Sequence, residues 1–143
     1  MPSKRNFSAK REAIYAALSS TAAHPSAEWI YDTLKTDIPD LSLGTVYRNL
    51  SMFKQNGKIR SLGVFNGHER FDYDTSDHAH FVCERCFDIR DIQGGRELLD
   101  RGVYDYIGRQ CGAVVTGHNL LFFGLCRNCA DDKENTLRPD NEE

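Results

Sequence analysis

The 143 residues amount to 16.3 kDa, enough for one ordinary domain or two small ones and too few for a large multi-domain enzyme. Hydrophobic residues make up 40% and charged residues 27%, a globular balance, and no apolar run approaches the roughly 20 residues that cross a bilayer, which excludes a membrane-spanning helix. The net charge of -3 hides a division: residues 1–62 carry nine basic against five acidic side chains, and residues 63–143 nine against sixteen. A basic half can attract phosphate while an acidic half concentrates cations.

The first helix is expected from Ser8, a candidate cap, with Ile14, Ala17 and Leu18 on one face, ending in the small polar run 19–23. A second helix opens at Pro25 or Ser26, carries Trp29 or Ile30 with Tyr31 and Leu34, and breaks at Asp37, Pro39 and Asp40. Ser42 caps a third, in which Leu43, Val46, Tyr47, Leu50 and Phe53 recur at helical spacing before Gly57. The period then changes. The runs 59–65 and 68–73 are rich in aromatic and β-branched residues and are joined by Asn66-Gly67, a dipeptide suited to a tight hairpin. Three helices and a two-stranded wing make a winged helix-turn-helix, whose third helix enters the major groove of DNA. On that helix Ser42, Thr45, Arg48, Asn49 and Lys54 are the candidate contacts, with Lys10, Arg11, Lys58 and Arg60 for phosphate. His68, near the hairpin tip, reads as a surface residue.

After a polar hinge at 74–77 comes a second unit. Residues 80–82 and 87–92 read as strands and Gly94-Gly95 as a break. Residues 96–109 read as a helix with Leu99, Val103, Tyr106 and Ile107 inward, and 113–125 as further strand. The expected class is α+β, with a DNA-binding domain over 1–74 and a small α/β dimerisation and metal-binding domain over 75–130. A flexible acidic tail is expected over 131–143. So small a second domain needs a metal staple or a partner surface.

Cys83 and Cys86, then Cys126 and Cys129, form two C-x-x-C knuckles. Four soft sulfurs suit tetrahedral zinc with no open position, hence a structural site. A thioredoxin-like dithiol would sit at a strand-to-helix junction, whereas these knuckles are expected between or after strands. Cys111 is left over and reads as a small core residue. His78 and His80 flank Ala79, so in an extended segment both imidazoles face one side, among carboxylates at Asp72, Asp74, Asp77, Asp88 and Asp91. Such a mixed set suits Fe(II), Mn(II) or zinc, and which aspartates belong to it is left open by spacing.

Several motifs occur together and in order: Ala23-His24-Pro25-Ser26-Ala27-Glu28 with Ile30-Tyr31, Leu43-Gly44-Thr45-Val46-Tyr47-Arg48-Asn49-Leu50, and Arg70-Phe71-Asp72. Ser76-Asp77-His78-Ala79-His80 then runs into Cys83 and Cys86, and Gly124-Leu125-Cys126 leads to Cys129. From Phe7 to Cys129 the chain resembles the ferric uptake regulator superfamily, and within it the peroxide-sensing, PerR-like branch. The resemblance implies a homodimeric repressor of a palindromic double-stranded DNA operator. It implies structural zinc on the four cysteines and Fe(II) or Mn(II) in a regulatory site of His24, Asp72, His78, His80 and Asp91. It assigns Tyr47 and Arg48 to the recognition helix, and it marks His24 and His80 as the residues that gain oxygen when the iron form meets peroxide. Aspartate at 72 and 91 is like the peroxide sensors, since iron-responsive relatives tend to carry glutamate.

Ala79 replaces a carboxylate that many iron-responsive relatives use in a further metal site, and Asp77 stands where they often have histidine. His118 matches the remaining ligand of that site, so an extra site is not expected. The family's additional amino-terminal helix is expected to be short or absent, with Lys4 and Arg5 compensating. No signal peptide is recognisable, so a cytoplasmic protein is expected. An enzyme is not: the deaminase pattern needs H-x-E and P-C-x-x-C, where this chain has Ala79-His80 and Val82-Cys83, and no small-molecule substrate other than peroxide as signal is implied.

Overall fold

A computed structural model of the chain describes residues 4–94, 98–100 and 102–132, with the side chains of residues 4–6 excepted. The expected contributions of Lys4 and Arg5, the Gly95 break, the start of a helix at Arg96 and the tail beyond Asp132 lie outside the described residues. The chain divides into two compact units, Met1–Ser76 and Asp77–Glu143. No helix among the described residues is long and apolar enough to cross a membrane.

Unit 1 runs α1 (Lys4–Ser19), α2 (Ala27–Leu34), α3 (Leu43–Gln55), β1 (Arg60–Phe65) and β2 (His68–Asp72). Ser8 does not cap α1: nothing between Lys4 and Ser8 breaks a helix, and the helix runs through it. Ser26 and Ser42 do cap α2 and α3, their hydroxyls accepting from the N–H groups of Trp29 and Thr45. The apolar faces of the helices converge on a core of Ile14, Leu18, Ile30, Val46, Leu50 and Phe53, closed by Ile59 and Phe71. Each fully buried side chain of this size stabilises the fold by about 1.5–3 kcal/mol. The hairpin turns on Asn66 and Gly67 at φ 52° and 78°, the two positive angles of a two-residue turn. A bulge at Gly63, φ 118°, shifts the register of β1 against β2. Tyr47 departs from the core pattern read in the sequence: at 42% exposure it stands clear of the core that Val46 and Leu50 enter.

Unit 2 holds a three-stranded sheet in the order β4 (Ile89–Ile92), β3 (Ala79–Cys83), β5 (Leu121–Gly124), with β3 antiparallel to β4 and parallel to β5. Helix α4 (Val103–Cys111) precedes β5, and a single turn, α5 (Arg127–Ala130), follows it. The strand expected from Phe87 begins at Ile89 because Phe87 takes φ 60° to close the first cysteine knuckle. The strand expected over 113–125 contracts to residues 121–124, the stretch that lies in register with β3; Val114, 89% exposed, lies in irregular chain. The helix begins at Val103 and buries none of its residues. Tyr106 and Ile107, expected inward, are exposed at 60% and 41%, because so small a sheet offers them no cover within the unit. Cys111, expected in a core, is exposed at the end of α4.

Candidate metal centres and nucleic-acid interface

Cys83 ends β3, Cys86 lies in the turn after it, Cys126 follows β5, and Cys129 sits in α5. One sulfur from each lies within 4.8 Å of every other, so both knuckles face one point. The second knuckle does stand at a strand-to-helix junction, contrary to the sequence reading. Convergence of four sulfurs, rather than position in the fold, therefore separates this set from a dithiol. The Cys126 N–H lies 3.4 Å from the Cys83 sulfur, and the Cys86 and Cys126 sulfurs are 3.7 Å apart. Burial opposes ionisation of Cys83, but N–H donors from Cys126, Cys86 and Arg85 outweigh it and hold the thiol at about 6. Its hydrogen bond with the Cys126 side chain, followed by desolvation, pushes Cys129 up to about 12. Four thiolates so close repel one another, and a doubly charged soft cation is the partner that lets all of them ionise.

His78, immediately before β3, and His80 within it point the same way, and their imidazole rings lie 4.4 Å apart. Asp91 is paired with His80 across the β3–β4 ladder. Its Oδ1 lies 3.3 Å from Nε2 of His78 and 3.1 Å from Nε2 of His80. Strand register therefore selects Asp91 from the surrounding carboxylates, while Asp88 pairs instead with Arg90 at 2.8 Å. Both histidines are buried.

Unit 1 carries a smaller donor pair. Nε2 of His24 lies 3.5 Å from Oδ2 of Asp72, and both side chains are buried. The other oxygen, Oδ1 of Asp72, accepts the N–H of Asp74 at 2.9 Å, which leaves Oδ2 toward the imidazole. His24 has φ 55°, a left-handed conformation in a β-carbon residue that also precedes proline. Such backbone costs about 1–3 kcal/mol and persists where neighbours hold it. The neighbours come from β2: Arg70 donates from Nε to the His24 carbonyl and from Nη2 to the Ala23 carbonyl at 2.6 Å, and the Phe71 N–H donates to the Pro25 carbonyl at 3.1 Å. Position alone gives His24 the reading of a cap or surface residue, and nothing in the sequence pattern points to the Arg70 contacts.

On the outer face of α3, Tyr47 and Arg48 are exposed, with Thr45 and Asn49 half-buried. Arg48 donates to the Thr45 hydroxyl at 3.0 Å and Asn49 to the Thr45 carbonyl at 2.8 Å. Ser42 is engaged as the cap and bonds the Thr45 hydroxyl at 2.9 Å. The Tyr47 hydroxyl donates to Glu28 on α2, whose other oxygen is 3.3 Å from Nδ1 of His68 on the wing. That hydrogen bond lowers the Glu28 carboxyl below its ordinary value and raises the Tyr47 phenol. His68 thus sits at the surface as read, with a partner the sequence did not reveal. Lys54, the last candidate contact on α3, spans 3.2 Å to Glu69, and the candidate phosphate contacts differ in reach: Arg11 is exposed and Arg60 half-buried. Lys58 lies over the Tyr15 and Phe53 rings, and Lys10, 14% exposed, is paired to Asp40 at 3.0 Å.

His118 is held from both ring nitrogens: Nδ1 meets the Tyr104 hydroxyl, and Nε2 lies 3.1 Å from Asp77.

The sequence profile described as the Ferric uptake regulator family matches residues 4–119. The chain is 35% identical to the peroxide-responsive repressor PerR of Staphylococcus aureus over 126 residues, spanning 85% of this chain and 80% of that protein. Its fold is similar to that of a Campylobacter jejuni peroxide stress regulator, with TM-score 0.71 and 23% identity over 88% of this chain and 93% of that one. A Vibrio cholerae ferric uptake regulator aligns at TM-score 0.62 and 27% identity, over 81% of this chain and 88% of its own. With the profile spanning most of its length and that degree of identity to a repressor of the same build, the chain belongs to the ferric uptake regulator family.

Proposed function

We propose that the chain is a metal-dependent, homodimeric transcriptional repressor of the cytoplasm. In this reading it binds a palindromic double-stranded DNA operator through unit 1 and releases it when hydrogen peroxide oxidises its histidine ligands. The observation that carries the reading is the split donor set. Unit 1 offers one imidazole and one carboxylate, and unit 2 offers two imidazoles and one carboxylate. Neither half fills the coordination sphere of Fe(II) or Mn(II), whereas His24, Asp72, His78, His80 and Asp91 together give nitrogen and oxygen donors that suit either ion. An ion shared by both halves favours one relative orientation of the units by its differential affinity for that state.

The chain's own residues supply the rest. The four cysteines hold structural zinc, which ties the start of unit 2 to its end. Tyr106, Ile107, Phe122 and Phe123, exposed on one small unit, support a face covered by a second copy. In such a dimer the two α3 helices stand about one helical turn of DNA apart or a multiple of it, the spacing a palindrome requires. Tyr47, Arg48, Thr45, Asn49 and Lys54 present the face of α3 to the groove, and Arg11 and Arg60 meet phosphate.

His24, Asp72, His78, His80 and Asp91 would hold Fe(II), which would supply the chemistry that opens the peroxide O–O bond, one oxygen replacing a ring hydrogen and the other leaving as water; Mn(II) on the same donors would lack that reactivity. By resemblance to the peroxide-sensing branch, His24 and His80 are the rings expected to take up oxygen; the carboxylate of Asp91 faces His78 as well as His80. A ring so modified is a poorer donor, so one oxidation ends metal-dependent DNA binding. Aspartate at both 72 and 91, together with 35% identity to a peroxide-responsive repressor, favours this reading over a metal sensor without oxidation.

The test uses a palindromic duplex selected by the Mn(II)-loaded protein from a randomised library. The Mn(II) form should keep the duplex through peroxide treatment. The Fe(II) form should release it and gain one oxygen on His24 or His80 by peptide mass spectrometry. Retention of the duplex by the Fe(II) form, with unmodified histidines, leaves a plain metal sensor in its place.

A further inference from the structure

We propose that Arg70 is a positioning residue for the regulatory metal: its guanidinium grips the strained turn at His24 and thereby delivers the imidazole to the metal beside Asp72. The inference rests on His24 and Asp72 serving as ligands, as proposed above, and concerns how unit 1 keeps its half of the site in order.

Three observations within unit 1 converge. His24 occupies left-handed backbone at φ 55° immediately before Pro25, a conformation the local sequence does not favour. The two carbonyls flanking its Cα on either side, those of Ala23 and His24 itself, both accept from the one guanidinium of Arg70, through Nη2 and Nε. The next two residues of β2 complete the attachment, Phe71 donating to the Pro25 carbonyl and Asp72 facing the His24 ring at 3.5 Å. A single strand thus fixes the backbone of one ligand and supplies the other. Arg70 is half-buried and points to carbonyl oxygens, so its contacts read as a clamp on the chain rather than as a phosphate contact.

The chemistry of Arg70 makes the proposal separable from a plain charge effect. A cation near a cation site repels the metal, so removing it would tighten metal binding if charge were all that mattered. A clamp predicts the opposite sign. It also predicts that lysine is a poor replacement, because a single ammonium lacks the planar fork that reaches two carbonyls at once.

The test is Mn(II) binding to zinc-loaded protein, followed by the electron paramagnetic resonance signal of free Mn(II), for Arg70→Met, Arg70→Lys, His24→Ala and the double variant Arg70→Met/His24→Ala. Both Arg70 variants should bind Mn(II) about 10–100-fold more weakly than the wild type, the range typical of losing a residue that orients a ligand. In the His24→Ala background, Arg70→Met should cost nothing further. Val46→Ala, which weakens the unit 1 core away from the turn, serves as the stability control and should leave Mn(II) affinity unchanged. Unchanged or tighter Mn(II) binding in Arg70→Met overturns the proposal, as does full affinity in Arg70→Lys, an undiminished effect in the His24→Ala background, or an equal loss in Val46→Ala. If the wild type binds no Mn(II) beyond its zinc, the ligand assignment itself fails and the clamp falls with it. That result is distinct from a wild type that binds and an Arg70 variant that binds equally well.

Discussion

Unit 1 buries Ile14, Leu18, Ile30, Val46, Leu50 and Phe53 in one cluster drawn from three helices, two of them capped by serine, and the wing strands close it. Unit 2 buries Ala79, Val82, Ile89 and two of its cysteines, and leaves Tyr106, Ile107, Phe122 and Phe123 at the surface. The first unit has the apolar burial that makes a small domain self-sufficient; the second has little of it, and four sulfurs aimed at one point. One half is stabilised by packing, the other by coordination and by what covers its apolar face.

The largest effect that can break this contrast is loss of the zinc ligands. Cys83→Ser should abolish zinc retention and unfold residues 77–132 while the amide signals of unit 1 survive, since structural zinc contributes about 10–16 kcal/mol of apparent binding energy. A variant that lacks zinc yet keeps unit 2 amides protected from exchange would show that packing holds it after all. Acid should act in the same direction. The ligands must be thiolates to hold zinc, so protons compete with the ion for the four sulfurs and zinc affinity falls as pH falls. Zinc release measured with a chromophoric chelator should therefore accelerate steadily with acid.

Leu50→Ala inverts the experiment. It should cost unit 1 about 2–5 kcal/mol by calorimetry, with one zinc per chain still bound; loss of zinc in this variant would mean the units do not differ as described. Phe123→Glu places a charge on the exposed face of unit 2 and should weaken self-association roughly tenfold or more in sedimentation, the scale of an interface hot spot, without loss of zinc. An unchanged mass distribution would move the dimer surface elsewhere. The smallest effect is Ser42→Ala, which removes the cap of α3 and should lower unit 1 stability by about 1 kcal/mol, again leaving zinc in place.

The same contrast governs what could be read from the sequence. In unit 1, periodicity, serine caps and Asn66-Gly67 are local signals, and the helices and hairpin follow them closely. In unit 2, the inward reading of Tyr106 and Ile107 assumed a core inside the chain, and the reading of 113–125 as strand assumed a pairing partner for all of it; both depend on surroundings that no window of sequence contains. The cysteine knuckles were legible because C-x-x-C spacing is itself the chemistry. Asp91 was legible only as one of five carboxylates until strand register placed it opposite His80. His24 was reached by family resemblance, since its left-handed backbone and its hold by Arg70, 46 residues away, leave no local trace.

The claim on which the function turns is that one divalent cation takes ligands from both units. The direct measurement is an anomalous-scattering map of the protein crystallised with saturating Mn(II) and recorded on either side of the manganese edge. It should place manganese among His24, Asp72, His78, His80 and Asp91, apart from zinc on the four cysteines. Manganese held by His78, His80 and Asp91 with His24 turned away would contradict it.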